Sequence, residues 1–482
     1  MANELAGLRR LTTHKMGFRI AIAAATIGVI YGYDLGAIAG ALLFITKDFG
    51  LSTHQTEWVA TIVVAGSVLG AFTGGRLADA IGRKRTMVIV ALTYAAFAVL
   101  SGVASSLVFL DIARFFLGVT IGVSIVTAPI FVAESSPAAV RGGMIVMYQV
   151  ATVTGIVLAY FVDYALSGAE AWRWMLALSA VPSLLVLVVL ARLPDTPRWY
   201  VMKGRHEEAR ATLAVTDPEA DADRELADIE ADLRSERGGA IGEMLRAPYL
   251  RATVFVVGLG FLIQITGINA VVFYSPMIFK EMGFTGNASL LLFPALVQVG
   301  SLVATLVSLS IVDRLGRRPT LLTGIGAMVA ATVLLVVVFA AGDLKGTSGW
   351  LGFLGIFVFT AGFNFGFGSL VWVYASESFP SRLRSIGASA MLTANLGANL
   401  LIALYFLSAL ESLGGTATFA MFAALAAIAF AFVWWLAPET KGRPLEDIRA
   451  FWENGGSWPA EEPGRPPSER FVRAPERDRV ER

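Results

Sequence analysis

Asp34 lies in the stretch Ile30-Tyr31-Gly32-Tyr33-Asp34-Leu35-Gly36, inside an apolar run from about Met16 to Ile45. An ionised carboxylate in a helix long enough to cross a bilayer is costly unless it is paired or wetted. Its side chain should therefore face a polar pathway, where it could carry a proton. A carboxylate that locks two helices together is the other reading, and Asp34 alone does not separate the two. Covalent chemistry finds little support elsewhere. The three histidines, His14, His54 and His206, sit outside the apolar runs with no ligand spacing, so no metal site is expected. Cys is absent, which excludes disulfides, thiol nucleophiles and thiolate metal sites. No nucleotide-binding loop, nucleophile with its base or nucleic-acid surface stands out, so an ATP-driven pump or membrane enzyme is disfavoured and no cofactor beyond the proton is expected.

The elements that must hold Asp34 are membrane spans. Of 482 residues, 56% are hydrophobic and only 16% charged, and 48 are Gly, the composition of a polytopic membrane protein. The 38 basic and 37 acidic residues nearly cancel, so charge matters by location only. Twelve apolar runs lie at about 17 to 45, 55 to 79, 86 to 105, 108 to 133, 142 to 166, 172 to 192, 250 to 280, 288 to 312, 319 to 341, 349 to 374, 385 to 410 and 415 to 436. An even number puts both termini on one side. Basic residues cluster after even-numbered spans (Arg83, Lys84, Arg85, Arg141, Arg192, Arg198, Arg317, Arg318, Arg382, Arg384), against little beyond Lys47, Lys280 and Lys345 opposite. The positive-inside rule then predicts cytoplasmic termini and a cell-membrane protein. The first run follows Arg9, Arg10, Lys15 and Arg19 and is too long for a cleavable signal core.

The expected division is a cytoplasmic N-terminus (1–16), a six-helix half (17–192), a cytoplasmic helical linker (193–249), a second six-helix half (250–436) and a cytoplasmic tail (437–482) disordered from about 455. Glu207 to Leu213 and Asp221 to Arg237 read as short amphipathic helices, with Pro218 and Gly238-Gly239 as breakers. They could brace the two halves or merely join them. The halves repeat: Asp79 with Arg83 between spans two and three returns as Asp313 with Arg317 between spans eight and nine, and Glu134 with Arg141 returns as Glu377 with Arg384. Duplicated halves suggest rocking about a midplane site, and these eight residues are predicted to shut the cytoplasmic side by pairing across the halves.

The motifs resemble the sugar porters of the major facilitator superfamily over about residues 17 to 450. The specific ones are Pro194-Asp195-Thr196-Pro197-Arg198-Trp199, Gln264 with Gly267-Ile268-Asn269, Ser376-Glu377-Ser378-Phe379-Pro380 and Pro438-Glu439-Thr440-Lys441-Gly442. The resemblance implies an all-α membrane fold of twelve helices in two halves, acting as a monomer that imports a monosaccharide or related polyol by alternating access. Asp34 falls where proton-coupled members carry an aspartate and passive ones tend to carry asparagine, and its implied partner is Arg114. Depth agrees: Asp34 lies roughly 17 residues outward along span one and Arg114 about six residues inward along span four, so both fall in the outer half of the membrane. The expected function is proton symport of that solute with Asp34 and Arg114 as the coupling pair; a passive facilitator and a non-transporting sugar sensor are the rival readings.

The resemblance also implies that Gln149, Gln264, Asn269, Asn395 and Asn399 hydrogen-bond the hydroxyls of a neutral, polyhydroxylated solute, since an amide both donates and accepts. Tyr31, Tyr274, Phe367 and Trp372 are the candidate aromatic faces for its ring. Taken singly, a buried amide is more often helix-to-helix glue and an aromatic more often core. The chain departs from the family at Ile263-Gln264, Phe273-Tyr274, Ser301, Phe367-Gly368-Ser369 and Leu396, with Asn364 as an extra polar group. Hexose, pentose, inositol and less sugar-like solutes all stay open.

Overall fold

Span one, Lys15–Phe49, carries a glycine every fourth residue (Gly28, Gly32, Gly36, Gly40), and this stripe lies against span five, Arg141–Leu166. A Cβ on Gly32 would come within 1.8 Å of the Thr152 carbonyl oxygen, and one on Gly28 within 2.5 Å of that of Tyr148. Spans two (Thr53–Ile81) and four (Leu107–Ser135) meet in the same way, Gly66 and Gly70 against span four and Gly118 and Gly122 against span two. In lipid, where burying apolar surface drives little helix association, such backbone contact holds helices together.

The computed structural model describes residues 15–136, 141–216, 221–236, 241–342, 346–443 and 445–458. The side chains of Arg141 and Arg382, the breakers Pro218 and Gly238-Gly239, Lys345, residues 1–14 and the tail beyond 458 lie outside the described residues. Eleven described helices are long and apolar enough to cross a membrane. The last, Ser381–Leu436, bends at Gly414 (φ 77°), so it supplies spans eleven and twelve. Spans three, eight and nine are Arg83–Gly102, Asn287–Leu315 and Arg317–Ala340.

Three spans are broken where an uninterrupted helix was predicted. Span six comprises Trp172–Ala177 and Ala180–Leu190. Span seven comprises Leu250–Ile265 and Ile268–Glu281, separated at Gly267, whose φ of 97° favours glycine. Span ten comprises Thr347–Phe365 and Phe367–Glu377, separated at Gly366. Irregular backbone at membrane depth is tolerated only where protein buries it or a cavity wets it, which marks spans seven and ten as site-forming.

The repeat reaches further than the sequence suggested. Gly82 (φ 108°) and Gly316 (φ 104°) turn the chain into spans three and nine. Asp195 Oδ1 accepts from the Arg83 and Lys84 amides at 2.9 and 3.2 Å, while Glu439 accepts from the Arg317 and Arg318 amides at 3.0 and 3.1 Å. Each half thus ends in a carboxylate that caps one of its own helices.

Between the halves, Pro197–Met202 packs on span four, and Ala222–Glu236 touches both that short helix and the Ser381–Leu436 helix. A final helix, Leu445–Glu453, docks Trp452 against Phe255 of span seven with ring centroids 5.3 Å apart. Its apolar positions Leu445, Ile448, Phe451 and Trp452 already carried the helical spacing in sequence.

Gly32→Ala is expected to destabilise the fold, since overpacking typically costs about 1–3 kcal/mol. Gly75→Ala, whose Cβ would meet nothing closer than Val126 Cγ1 at 3.9 Å, is expected to be neutral. Thermal unfolding of both variants in detergent checks this, and equal midpoints would contradict it.

Candidate functional site

Asp34 sits between Gly32 and Gly36 of the glycine stripe, so span one is pressed backbone-to-backbone on span five while Asp34 reaches span four. There Arg114 Nη1 donates to Asp34 Oδ1 at 2.9 Å, with both side chains almost fully buried. The guanidinium is only partly satisfied, because its Nε is buried without a partner. One turn earlier on span four, Asp111 Oδ1 is also buried and unbonded. The pair borders a cavity of about 20 Å³, room for roughly one water. Tyr31, Asp34, Ser67 and Arg114 line it from the first half, and Phe273, Leu396 and Asn399 from the second, so the ion pair lies on the seam.

The amides expected on spans seven and eleven come together. Gln264 Nε2 donates to Asn395 Oδ1 at 3.4 Å, and Asn399 follows Asn395 by one turn on the same face. Gln264 Oε1, Asn269 Nδ2 and Asn399 Oδ1 are buried with no protein partner. Buried polar atoms are rarely left so, and here two acceptors and a donor stand ready for hydroxyls. Gln149 of span five reaches the second half near Gly368, its Nε2 3.6 Å and Asn364 Oδ1 3.3 Å from where a Cβ would stand. The sequence reading missed Gln298 of span eight, which is buried with Nε2 unbonded, one turn before Ser301. A lone amide in an otherwise apolar stretch was the available signal.

Of the aromatic candidates, only Tyr31 lines a described cavity. Tyr274 is a correction: its hydroxyl donates to the Ala403 carbonyl at 2.6 Å and its ring stacks on Phe406, leaving no open face. Phe367 is likewise fully buried, packed beside Phe363 within the second half. Trp372 is 36% exposed and borders neither cavity.

At the basic end of the bundle the predicted cross-half pairing is also corrected. Arg83 bonds Glu134 at 3.0 Å and Asp79 at 2.9 Å, Thr196 donates to Glu134 at 2.6 Å, and Arg198 lies 3.7 Å from it, all within the first half and the start of the linker that follows it. Arg317 pairs with Asp313 at 2.8 Å within the second, while Glu377 Oε2 and Arg384 Nε are buried without partners. Among the described residues, the hydrogen bonds between the halves lie at the opposite end. There Glu57 accepts from the Ser408 amide at 2.7 Å and its hydroxyl at 2.6 Å, Thr53 donates to Glu411 at 2.5 Å, and Tyr160 donates to the Val272 carbonyl at 2.6 Å. Asn287 joins the Ser167 carbonyl at 3.5 Å. Among the described residues, each basic cluster is bonded on its own side of the seam. Glu57, an acid inside the start of an apolar span, was the overlooked cue.

Arg114→Gln alone is expected to destabilise the protein by about 3–5 kcal/mol, because it leaves Asp34 buried and unpaired. Adding Asp34→Asn should restore most of that loss. A double-mutant cycle read by unfolding in detergent checks it, and additive losses would show that the two groups are not coupled.

Residues 20–452 match the family described as sugar (and other) transporter. The galactose-proton symporter of Escherichia coli K12 is 35% identical over 434 residues, covering 90% of this chain and 94% of that one. The arabinose-proton symporter of the same organism is 34% identical over 440 residues, covering 90% and 93%. A probable polyol transporter 3 of Arabidopsis thaliana is 34% identical over 469 residues, covering 92% of each. Among solved structures, the proton:xylose symporter XylE bound to 6-bromo-6-deoxy-D-glucose superposes with a TM-score of 0.77 at 25% identity, covering 90% of this chain and 99% of that one. The fold is therefore the twelve-helix major facilitator fold, and the protein is a multi-pass membrane carrier, not an enzyme. With a family match over most of its length, the chain belongs to the sugar (and other) transporter family.

Proposed function

We propose that this chain is a proton symporter that imports a monosaccharide or related polyol, with both termini in the cytoplasm. The observation that carries the proton reading is the buried Asp34–Arg114 pair on the seam between halves. Protonating Asp34 neutralises it and frees Arg114. A conformational step that is favourable only when proton and substrate are both bound then links the two fluxes. The unbonded amide atoms of Gln264, Asn269 and Asn399 support a neutral, hydroxyl-rich solute, with Gln149, Asn395 and Tyr31 beside them. The relatives that handle galactose, arabinose and xylose favour a hexose or pentose. Glu57, Ser408, Tyr160 and Val272 form the outer closure, and opening of the basic end releases solute inward. The clusters around Glu134 and Glu377 serve each half separately, and the linker helices brace the two as the protein works, as a monomer.

Radiolabelled sugar accumulation in cells, with and without a protonophore, tests the coupling. Asp34→Asn is expected to abolish uphill accumulation while preserving exchange, whereas unchanged uphill uptake in this variant rejects the role of Asp34. For the closure, the absence of Cys makes a single-cysteine reporter clean. With Val272→Cys in place, Glu57→Gln is expected to raise labelling by a membrane-impermeant maleimide several-fold, and unaltered labelling would remove Glu57 from the closure.

A further inference from the structure

Asp163 of span five takes no part in the coupling pair, yet it is fully buried and its carboxylate oxygens meet no side-chain donor, only the backbone at Gly40. It packs on the last glycine of the span-one stripe, where a Cβ on Gly40 would stand 2.3 Å from Oδ2. Among the described residues no cation is placed to answer its charge. On span one, the ionisable neighbour is Tyr33, whose hydroxyl is itself buried and unbonded. Farther out, Lys47 is bound to Glu170 at 2.8 Å and Asp48 to Arg173 at 3.1 Å and to the Trp172 indole at 3.1 Å. Span five itself offers Tyr160 and Tyr164, and on span four Arg114 is committed to Asp34. Span eight from Asn287 to Val307 and span ten from Thr347 to Phe365 contain no ionisable residue. A bare carboxylate in such a place is prohibitively costly, which favours the protonated acid in this conformation.

Its position gives that proton a consequence. Tyr160 lies one turn away on the same helix and makes the 2.6 Å bond to the Val272 carbonyl that joins the halves at their outer end. Parting the halves breaks this bond and lets water reach the outer end of span five, where an ionised Asp163 becomes affordable. We propose that Asp163 is a second protonation site, which must hold its proton for the outer ends of the two halves to close. By reciprocity, a group that is neutral in the closed state and ionisable in the open one makes closure progressively harder as external pH rises. Asp34 then links proton flow to substrate, while Asp163 sets how readily the empty or loaded carrier shuts.

The inference rests on the alternating-access reading, so its test runs in an Asp34→Asn parent, where the first site is silent. One readout is the infrared C=O band of a protonated carboxylic acid at neutral pH in purified protein. It is expected in Asp34→Asn and should lose intensity when Asp163→Asn is added; identical spectra overturn the proposal. The other is maleimide labelling at Val272→Cys, normalised to the unfolded protein at each pH. Labelling should rise several-fold from mildly acidic to alkaline pH in the parent and stay flat with Asp163→Asn, and equal pH dependence in both overturns the coupling to closure. If Asp163→Asn does not reach the membrane, Asp163→Ser takes its place. Neither readout measures sugar uptake, so failure of the transport reading would leave both results interpretable.

Discussion

Everything in this molecule is arranged around the difficulty of keeping charge inside an apolar slab. The Asp34–Arg114 bond is tolerable because each ion answers the other, and it is informative because one proton suffices to cancel one of them. Its place on the seam matters as much as its burial. A pair within the body of one half would be a rivet, whereas here Phe273, Leu396 and Asn399 of the other half border the same small space. Changes in charge at Asp34 are therefore felt by both moving parts.

The two ends of the bundle handle polar groups differently. At the basic end, Asp195 and Glu439 cap helices of their own halves, and the Glu134 cluster is satisfied internally. These are fittings that keep each half a rigid body. At the other end, Glu57, Thr53 and Tyr160 make their bonds to the opposite half. The conformation described is closed there, and those few contacts are what must be given up for the substrate site to face that side.

Spans and repeat were readable from sequence because runs of about 20 apolar residues and a returning Asp-to-Arg turn are local patterns. Asp34 was readable because a charge in such a run is costly and conspicuous. The breaks at Gly267 and Gly366 were not, since a chain of 48 glycines gives no sign of which ones unwind a helix. Tyr274 and Phe367 looked like ligand faces because spacing places a residue on a helix but says nothing about the neighbour that covers its ring. Glu134 with Arg83 shows the same limit: residue types announced an ion pair, but which half would supply the partner depended on the conformation.

The glycine stripe makes spans one and five a single mechanical member. With the Cα atoms of Gly32 and Gly36 resting on span five, the two helices cannot slide or splay without a gap opening between them. Asp34 is mounted on one rail of this member, and Tyr160 and Asp163 on the other. A displacement at Asp34 can pass to the end where Tyr160 meets the other half through stiff backbone, with no loop or side-chain relay needed. Bulk added anywhere along the stripe would then slacken the linkage at a distance from either site, leaving a carrier that still binds its cargo but turns over out of step.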